Sequence, residues 1–278
     1  MTVRKNQATL TAQEKSRFVA AIKALKRSGM YDHHVRDHMT AVLSIRPNPA
    51  HQGPAFFPWH RYCLYVFERE LQMVDPGVTI PYWDWTRDSS PTSSIWAADF
   101  MGGNGRSTDL QVMTGPFAYS TGEWTLTVRD NNRTPPFLRR SFGVLQSSLP
   151  TATQAARSLG LTPYDAAPWN STTSNGYRMF SEAPIHNVVH RWLGGTMFQA
   201  SSPGDPVFWL HHCMIDRLWA MWQRRNPNQR YVPASGGPSG HNLNDPMWPW
   251  TTQASPPTPA SVLDYRALGY TYDDEGTW

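Results

Sequence analysis

The sequence predicts a mainly α-helical fold, a four-helix bundle wrapped by long loops with a few short strands. Three observations predict it. Apolar residues recur at helical spacing in several well-capped segments. The rest of the chain is rich in Gly, Pro, Ser, Thr and Asn, the composition of loops. The ten histidines fall into two groups, mostly on the predicted helices, with none between residues 61 and 185.

The first helix opens on a capping box, Thr11 with Glu14, in which each side chain satisfies a backbone N–H of the other. Phe18, Ile22 and Leu25 then share a face, and Gly29 ends the run. A second helix is expected from Tyr31 to about Ile45, before Pro47. A third has Pro58 in its first turn, where a missing N–H costs nothing, and runs to about Val74. Residues 86–170 read as loops, with short helices near Pro136–Phe142 and Thr151–Leu159. A fourth helix is expected from Pro184 to Leu193, stopped by Gly194-Gly195. A fifth starts at the N-cap Asp205-Pro206 and runs to about Arg225. The tail is rich in Pro and Gly, with a short helix near Pro259–Leu263. No internal repeat or long linker divides the chain, so residues 1–278 read as one domain.

Composition excludes several classes. Hydrophobic residues make up 40% and charged residues 17% of the 278, which is globular. No apolar run approaches a membrane span. Met1–Asn6 leads into no apolar segment, so the chain reads as cytoplasmic as synthesised. Two cysteines, Cys63 and Cys213, build no disulfide framework, and both read as inert buried thiols. The net charge is +4, but no basic run exceeds two residues, so nucleic acid is not an expected partner.

Histidine phase carries the functional argument. His38 aligns with Val35, Val42 and Ile45; His60 with Leu64, Phe67 and Leu71; His186 and His190 with Val189 and Leu193; His212 with Ile215 and Trp219. Each helix thus aims an imidazole at the apolar interior. One inward histidine is an ordinary core residue, but four helices doing so together point to a metal, the common partner of clustered imidazoles. Asn187 stands where a zinc protease would carry its Glu, and no Glu-x-x-His pair suggests di-iron. An imidazole-only donor set favours copper, and about six ligands suggest two ions.

Two long motifs then stand out. One is His51-Gln52-Gly53-Pro54-Ala55-Phe56-Phe57-Pro58-Trp59-His60-Arg61, continuing to Glu68. The other is Asp205-Pro206-Val207-Phe208-Trp209-Leu210-His211-His212-Cys213-Met214-Ile215-Asp216-Arg217. With Pro81-Tyr82-Trp83-Asp84-Trp85 and Val3-Arg4-Lys5-Asn6, they resemble the type-3 dinuclear copper proteins, and most closely the bacterial tyrosinases, over nearly the whole chain. The resemblance implies one copper on His38, His51 and His60 and another on His186, His190 and His212, with dioxygen held between them as a bridging peroxide. It places His33, His34, His211 and His241 at the surface or behind the ligands.

The implied activity is oxidation of monophenols or o-diphenols to o-quinones by O2. Glu182 and Asn187 would hold the water that takes the phenol proton. Arg191 would meet an anionic substrate group, and Met197–Ser202 would rim the pocket. Asp216 would steady its helix or a ligand nitrogen. The segments Glu182–His186 and His38–His51 are shorter than the family pattern. The o-aminophenol oxidases, with the same coppers, are therefore an alternative. The hemocyanins, which carry O2, are the alternative from another class. Residues 39–50 contain no Cys, so the thioether crosslink of some relatives is absent. The resemblance also implies a small caddie protein that delivers copper and accompanies any export.

Overall fold

A computed structural model describes residues 1–131 and 134–278. Its helices are α1 (Ala12–Ser28), α2 (Met30–Leu43), α3 (Phe56–Val74), α4 (Ala152–Leu159), α5 (Tyr177–Phe180), α6 (Asn187–Leu193) and α7 (Val207–Arg225). A π-turn, Ser181–His186, joins α5 to α6 without a break. The histidine-bearing elements α2, α3, the π-turn with α6, and α7 form the four-helix frame around the imidazoles. Among the described residues, no helix is long and apolar enough to cross a membrane.

Local signals place most boundaries. The Thr11–Glu14 capping box starts α1, and Gly29, at φ 82°, ends it in the left-handed conformation that glycine adopts without strain. That one residue turns the chain directly into α2. A second capping box, Thr151 with Gln154, starts α4. The Asp205 carboxylate accepts the Val207 N–H at 3.1 Å and so caps α7 as expected. Helix α7 is buried on all sides from Val207 to Ala220, which makes it the central element. It meets α3 through a flat stack of Phe67 on Trp209, with ring centroids 3.6 Å apart.

Two expectations are corrected. The fourth helix begins at Tyr177, not Pro184. Pro184 lies inside the π-turn, where a widened turn accommodates a residue that has no N–H to donate to the preceding turn. Pro136–Phe142 forms no helix. Its backbone instead pairs with distant segments, Leu126 N–H to Pro136 O, Val112 N–H to Leu138 O and Ser141 N–H to Leu193 O. Arg140 in this stretch is fully buried and donates twice to Asp205, each bond 2.8 Å long. Tertiary pairing therefore overrides local propensity here. The expected helix at Pro259–Leu263 is a single 3-10 turn, Ala260–Val262.

The two chain ends meet in the only two-stranded sheet among the described residues. Strand β1 (Thr2–Arg4) runs parallel to β2 (Tyr270–Tyr272), with Arg4 opposite Tyr272. This pairing delivers Arg4 into the interior beneath the histidines. Its guanidinium donates to Glu68 of α3 (2.5 and 2.8 Å) and to Asp216 of α7 (3.2 Å). Asp216 also accepts from Arg61 Nε (2.5 Å), Tyr270 OH (2.5 Å) and Tyr272 OH (2.6 Å). Burial alone would raise the Asp216 pKa, but Arg61 and Arg4 hold it below the usual carboxylate range. The carboxylate thus steadies its helix, as one reading of the sequence expects, by locking α7 to α3 and to both termini. It touches no imidazole nitrogen.

Removing one partner of a buried ion pair strands the others. Asp216→Ala should therefore lower unfolding stability by about 3–5 kcal/mol, measured by chemical denaturation. A loss below about 1 kcal/mol, the range of a surface pair, would contradict this account of the hub.

Candidate metal centre

Seven imidazoles lie in two adjoining clusters, His38 with His51 and His60, and His186 with His190, His211 and His212. In each cluster the potential ligand atoms lie within 4.8 Å of one another. The clusters meet where the His60 and His212 rings stack with centroids 4.3 Å apart.

Main-chain carbonyls orient three of these seven rings. His38 Nδ1–H donates to Ala200 O (2.7 Å), His60 Nδ1–H to Phe56 O (2.8 Å) and His190 Nδ1–H to Met197 O (2.6 Å). A carbonyl only accepts, so each proton sits on Nδ1 and each Nε2 presents a bare lone pair. The Nε2 atoms of His38 and His60 are buried with no protein partner. In the second cluster His186 Nε2 lies 3.0 Å from His190 Nε2 and 3.3 Å from His212 Nε2. Asn187 Oδ1 lies 2.9 Å from His186 Nδ1.

The clusters are uncharged. Burial first, then neighbouring imidazoles, pushes the pKa values of His51, His60, His186, His211 and His212 well below the ordinary range. Burial likewise takes His38 and His190 down to about 4. Neutral rings whose lone pairs converge at about 3 Å repel unless a cation lies between them. Buried nitrogens without partners and an all-imidazole donor set therefore fit a pair of metal ions, and copper in particular.

A cavity of about 320 Å³ opens onto both clusters and is lined by His38, His51, His186 and His190. Glu182, Asn187 and Arg191 also line it, as do Met197, Phe198, Gln199, Ala200 and Ser202. The expectation that residues 197–202 rim the pocket therefore holds for all but Ser201. Glu182 sits in the π-turn, almost fully buried, and burial pushes its carboxyl up to about 7 against the pull of Arg178. Its Oε1 accepts the Gln52 N–H at 2.6 Å and its Oε2 accepts from Arg178 at 3.1 Å.

The remaining histidines separate clearly. His33 is exposed. His34 is buried against Phe67 and Trp209 and pairs with Glu70 at 2.6 Å. His211 is fully buried inside the second cluster, stacked on His186 with centroids 5.1 Å apart, and neither of its nitrogens has a partner. His241 is buried beside the loop that carries His51.

Sequence reasoning misses the groups that act through backbone. Asp130 accepts the N–H groups of Ala200 and Ser201 (2.9 and 2.8 Å) and so fixes the carbonyl that orients His38. No local pattern marks Asp130 for that task. Phe208, whose ring centroid is 4.0 Å from that of His212, lies within a quoted motif and could have been found from its helical phase.

Two facing clusters of neutral imidazoles, open to a cavity and set in a helical frame, define a dinuclear metal protein. Residues 26–225 match the family model described as the common central domain of tyrosinase. The chain is 51% identical to a tyrosinase of Streptomyces antibioticus, over 98% of this chain and all of that one. It is 42% identical to the grixazone synthase of Streptomyces griseus, over 98% of this chain and 99% of that one. Its fold resembles that of recombinant mushroom tyrosinase with a TM-score of 0.67 at 19% identity, covering 98% of this chain and 61% of the other. The chain belongs to the tyrosinase family. It is a type-3 copper oxidoreductase that oxidises phenols with O2, and its cofactor is a pair of copper ions. An enzyme, not an oxygen carrier, is therefore the class.

The low imidazole pKa values make the metal-free fold sensitive to acid. Below about pH 6.5 the unfolded chain takes up protons that the folded clusters refuse. Stability is therefore lost as the pH falls, by about 1.4 kcal/mol per pH unit for each such ring. Thermal melts of the metal-free protein should drop steeply between pH 7.5 and 5. A melting temperature flat over that range would contradict the buried, neutral state.

Proposed function

We propose that His38, His51 and His60 hold one copper and His186, His190 and His212 the other. The pair then converts monophenols and o-diphenols to o-quinones in the adjoining cavity. The observation that carries this reading is the set of clustered imidazoles whose Nε2 atoms either lack a protein partner, as in His38 and His60, or face one another, as in His186, His190 and His212, beneath a cavity that also holds a carboxyl. When bound, the copper pair supplies the two-electron redox chemistry that couples O2 to the phenol ring.

The chain's own residues supply the rest. A free phenol has a pKa of about 10, so its proton needs an acceptor. Glu182, pushed up to about 7, is matched to taking a proton near neutral pH and giving it back. Glu182 and Asn187 line the same cavity as His186, and we assign them the water through which that proton moves. Arg191 lies exposed on the cavity wall, where it meets an anionic arm of the substrate. Phe198, 55% exposed, gives the rim an apolar edge on which a ring can rest. That exposed edge also suits a small copper-delivering caddie partner, with which the enzyme would leave the cytoplasm in any export. Pairing of the two chain ends through β1 and β2 supports one domain over residues 1–278.

One observation favours a second reading, the oxidation of o-aminophenols with little action on tyrosine. Both Glu182 oxygens already hold donors, from Gln52 and Arg178.

Oxygen uptake by copper-loaded protein with tyrosine, a catechol and an o-aminophenol separates the two. Uptake on tyrosine supports the first reading; uptake confined to the other two supports the second. Glu182→Gln keeps an acceptor for Gln52 but cannot take the proton. It should cut monophenol turnover by about 10²–10⁴-fold and spare catechol oxidation. Unchanged monophenol turnover would end the role assigned to Glu182. His60→Asn and His212→Asn should each lose one copper per chain, and full copper content in either would refute the ligand assignment.

A further inference from the structure

The six assigned ligands are not held alike. His38, His60 and His190 each rest Nδ1 on a carbonyl, and His186 rests its Nδ1 on Asn187. The Nδ1 atoms of His51 and His212 have no partner. His212 sits mid-helix, stacked on His60 and lying close against Phe208. His51 alone combines an unpartnered Nδ1 with a position on a loop. Its ring packs edge-on against His38 and His60, and with no hydrogen bond at Nδ1 the backbone that carries it does the rest of the positioning.

That backbone is gripped at four points. Asn48 Oδ1 accepts the N–H groups of Ala50 and His51 (2.9 and 3.0 Å). Glu182 accepts the N–H of Gln52 at 2.6 Å, which helps hold Gln52 at φ 59°, a region non-glycine residues seldom occupy. Tyr164 OH donates to Pro54 O at 2.6 Å. The fourth grip comes from the far end of the chain, where His241 Nδ1 accepts the Ala55 N–H at 3.2 Å.

His241 is built into this position. It is 1% exposed, and its own carbonyl accepts from Tyr231 OH at 2.6 Å. The Tyr231 ring lies against that of Tyr164, with centroids 4.9 Å apart, so two of the grips share one support. The imidazole occupies the space a side chain on residue 53 would fill, since a Cβ on Gly53 would lie 2.6 Å from His241 Cε1. Gly53 and His241 thus fit as a pair, and His241 lies outside the 26–225 segment that matches the family model.

We propose that His241 is a positioning residue for the metal ligand His51. By holding residues 53–55 it makes the first copper position depend on the C-terminal segment. This inference rests on the assignment of His51 as a ligand.

The test measures copper per chain and affinity by competition with a chelator. It also records the paramagnetic signal of an isolated Cu(II), with thermal melts reporting on folding. His51→Asn serves as the reference and should leave one copper and an isolated-copper signal. His241→Phe fills the volume but removes the acceptor. It should weaken the first copper by about 10–100-fold, the usual effect of losing an outer-shell partner, and show the same signal. His241→Asn, which keeps an acceptor near the Nδ1 position, should restore most of the affinity. Gly53→Ala should weaken the same copper in the native background and add nothing to His241→Ala, which keeps the test open should His241→Phe fail to fold. Native copper affinity in His241→Phe, alongside loss of one copper in His51→Asn, would overturn the proposal. Two coppers retained in His51→Asn would instead overturn the ligand assignment on which it rests.

Discussion

The structure depends on one constraint: seven imidazoles, five of them buried and two partly buried, lie together with no carboxylate among them. A carboxylate would let protons settle the cluster into ion pairs. Without one, burial and mutual repulsion keep every ring neutral, and each needs a place for its single N–H. The fold provides that place for three of the seven through main-chain carbonyls. Ala200 O, Phe56 O and Met197 O fix three rings in the same tautomer, and the lone pairs left over converge. The same arrangement that satisfies the donors creates the demand for a cation, and a demand met by imidazole alone suits copper.

The frame follows from that constraint. Carbonyls orient rings only if their own segments are fixed, so the long loops must be rigid. Asp130 fixes the Ala200 segment by taking two of its N–H groups. Arg140 joins Asp205, at the head of α7, to the carbonyls of Met101 and Gly102. Beneath the site, Asp216 lies one turn after His212 and Arg61 one residue after His60, and the two bond to each other. An error in the spacing of α3 and α7 would thus be resisted directly below the stacked His60 and His212 rings. The π-turn performs the matching task on the fourth side. Glu182 and His186, four residues apart along it, line the same cavity.

Much of this was legible in the sequence, and for a physical reason. The capping box at Thr11, the stop at Gly29 and the cap at Asp205 act through contacts within a few residues, so sequence order carries them. Histidine phase was legible because a helix converts spacing into direction. The start of the fourth helix was not, because Pro184 reads equally as a first-turn residue or as the centre of a π-turn, and only packing decides. The Pro136–Phe142 helix failed because its backbone bonds lie with strands of chain far away in sequence. His211 was read as a neighbour of the ligands, and the structure puts its ring inside the cluster. Asp130 and His241 act on N–H groups about 70 and 186 positions away, and no local pattern encodes such a pairing.

The protein holds a preassembled, neutral pair of imidazole sites. Anaerobic titration of the metal-free protein with Cu(I) at pH 6.0, with proton release followed in weak buffer, tests it most directly. Ordinary imidazoles, with a pKa of about 6.5, would be mostly protonated at that pH and would release on the order of two protons per copper. Preassembled neutral sites should bind two coppers per chain with well under one proton released for each. A single copper, or about two protons per copper, would contradict it.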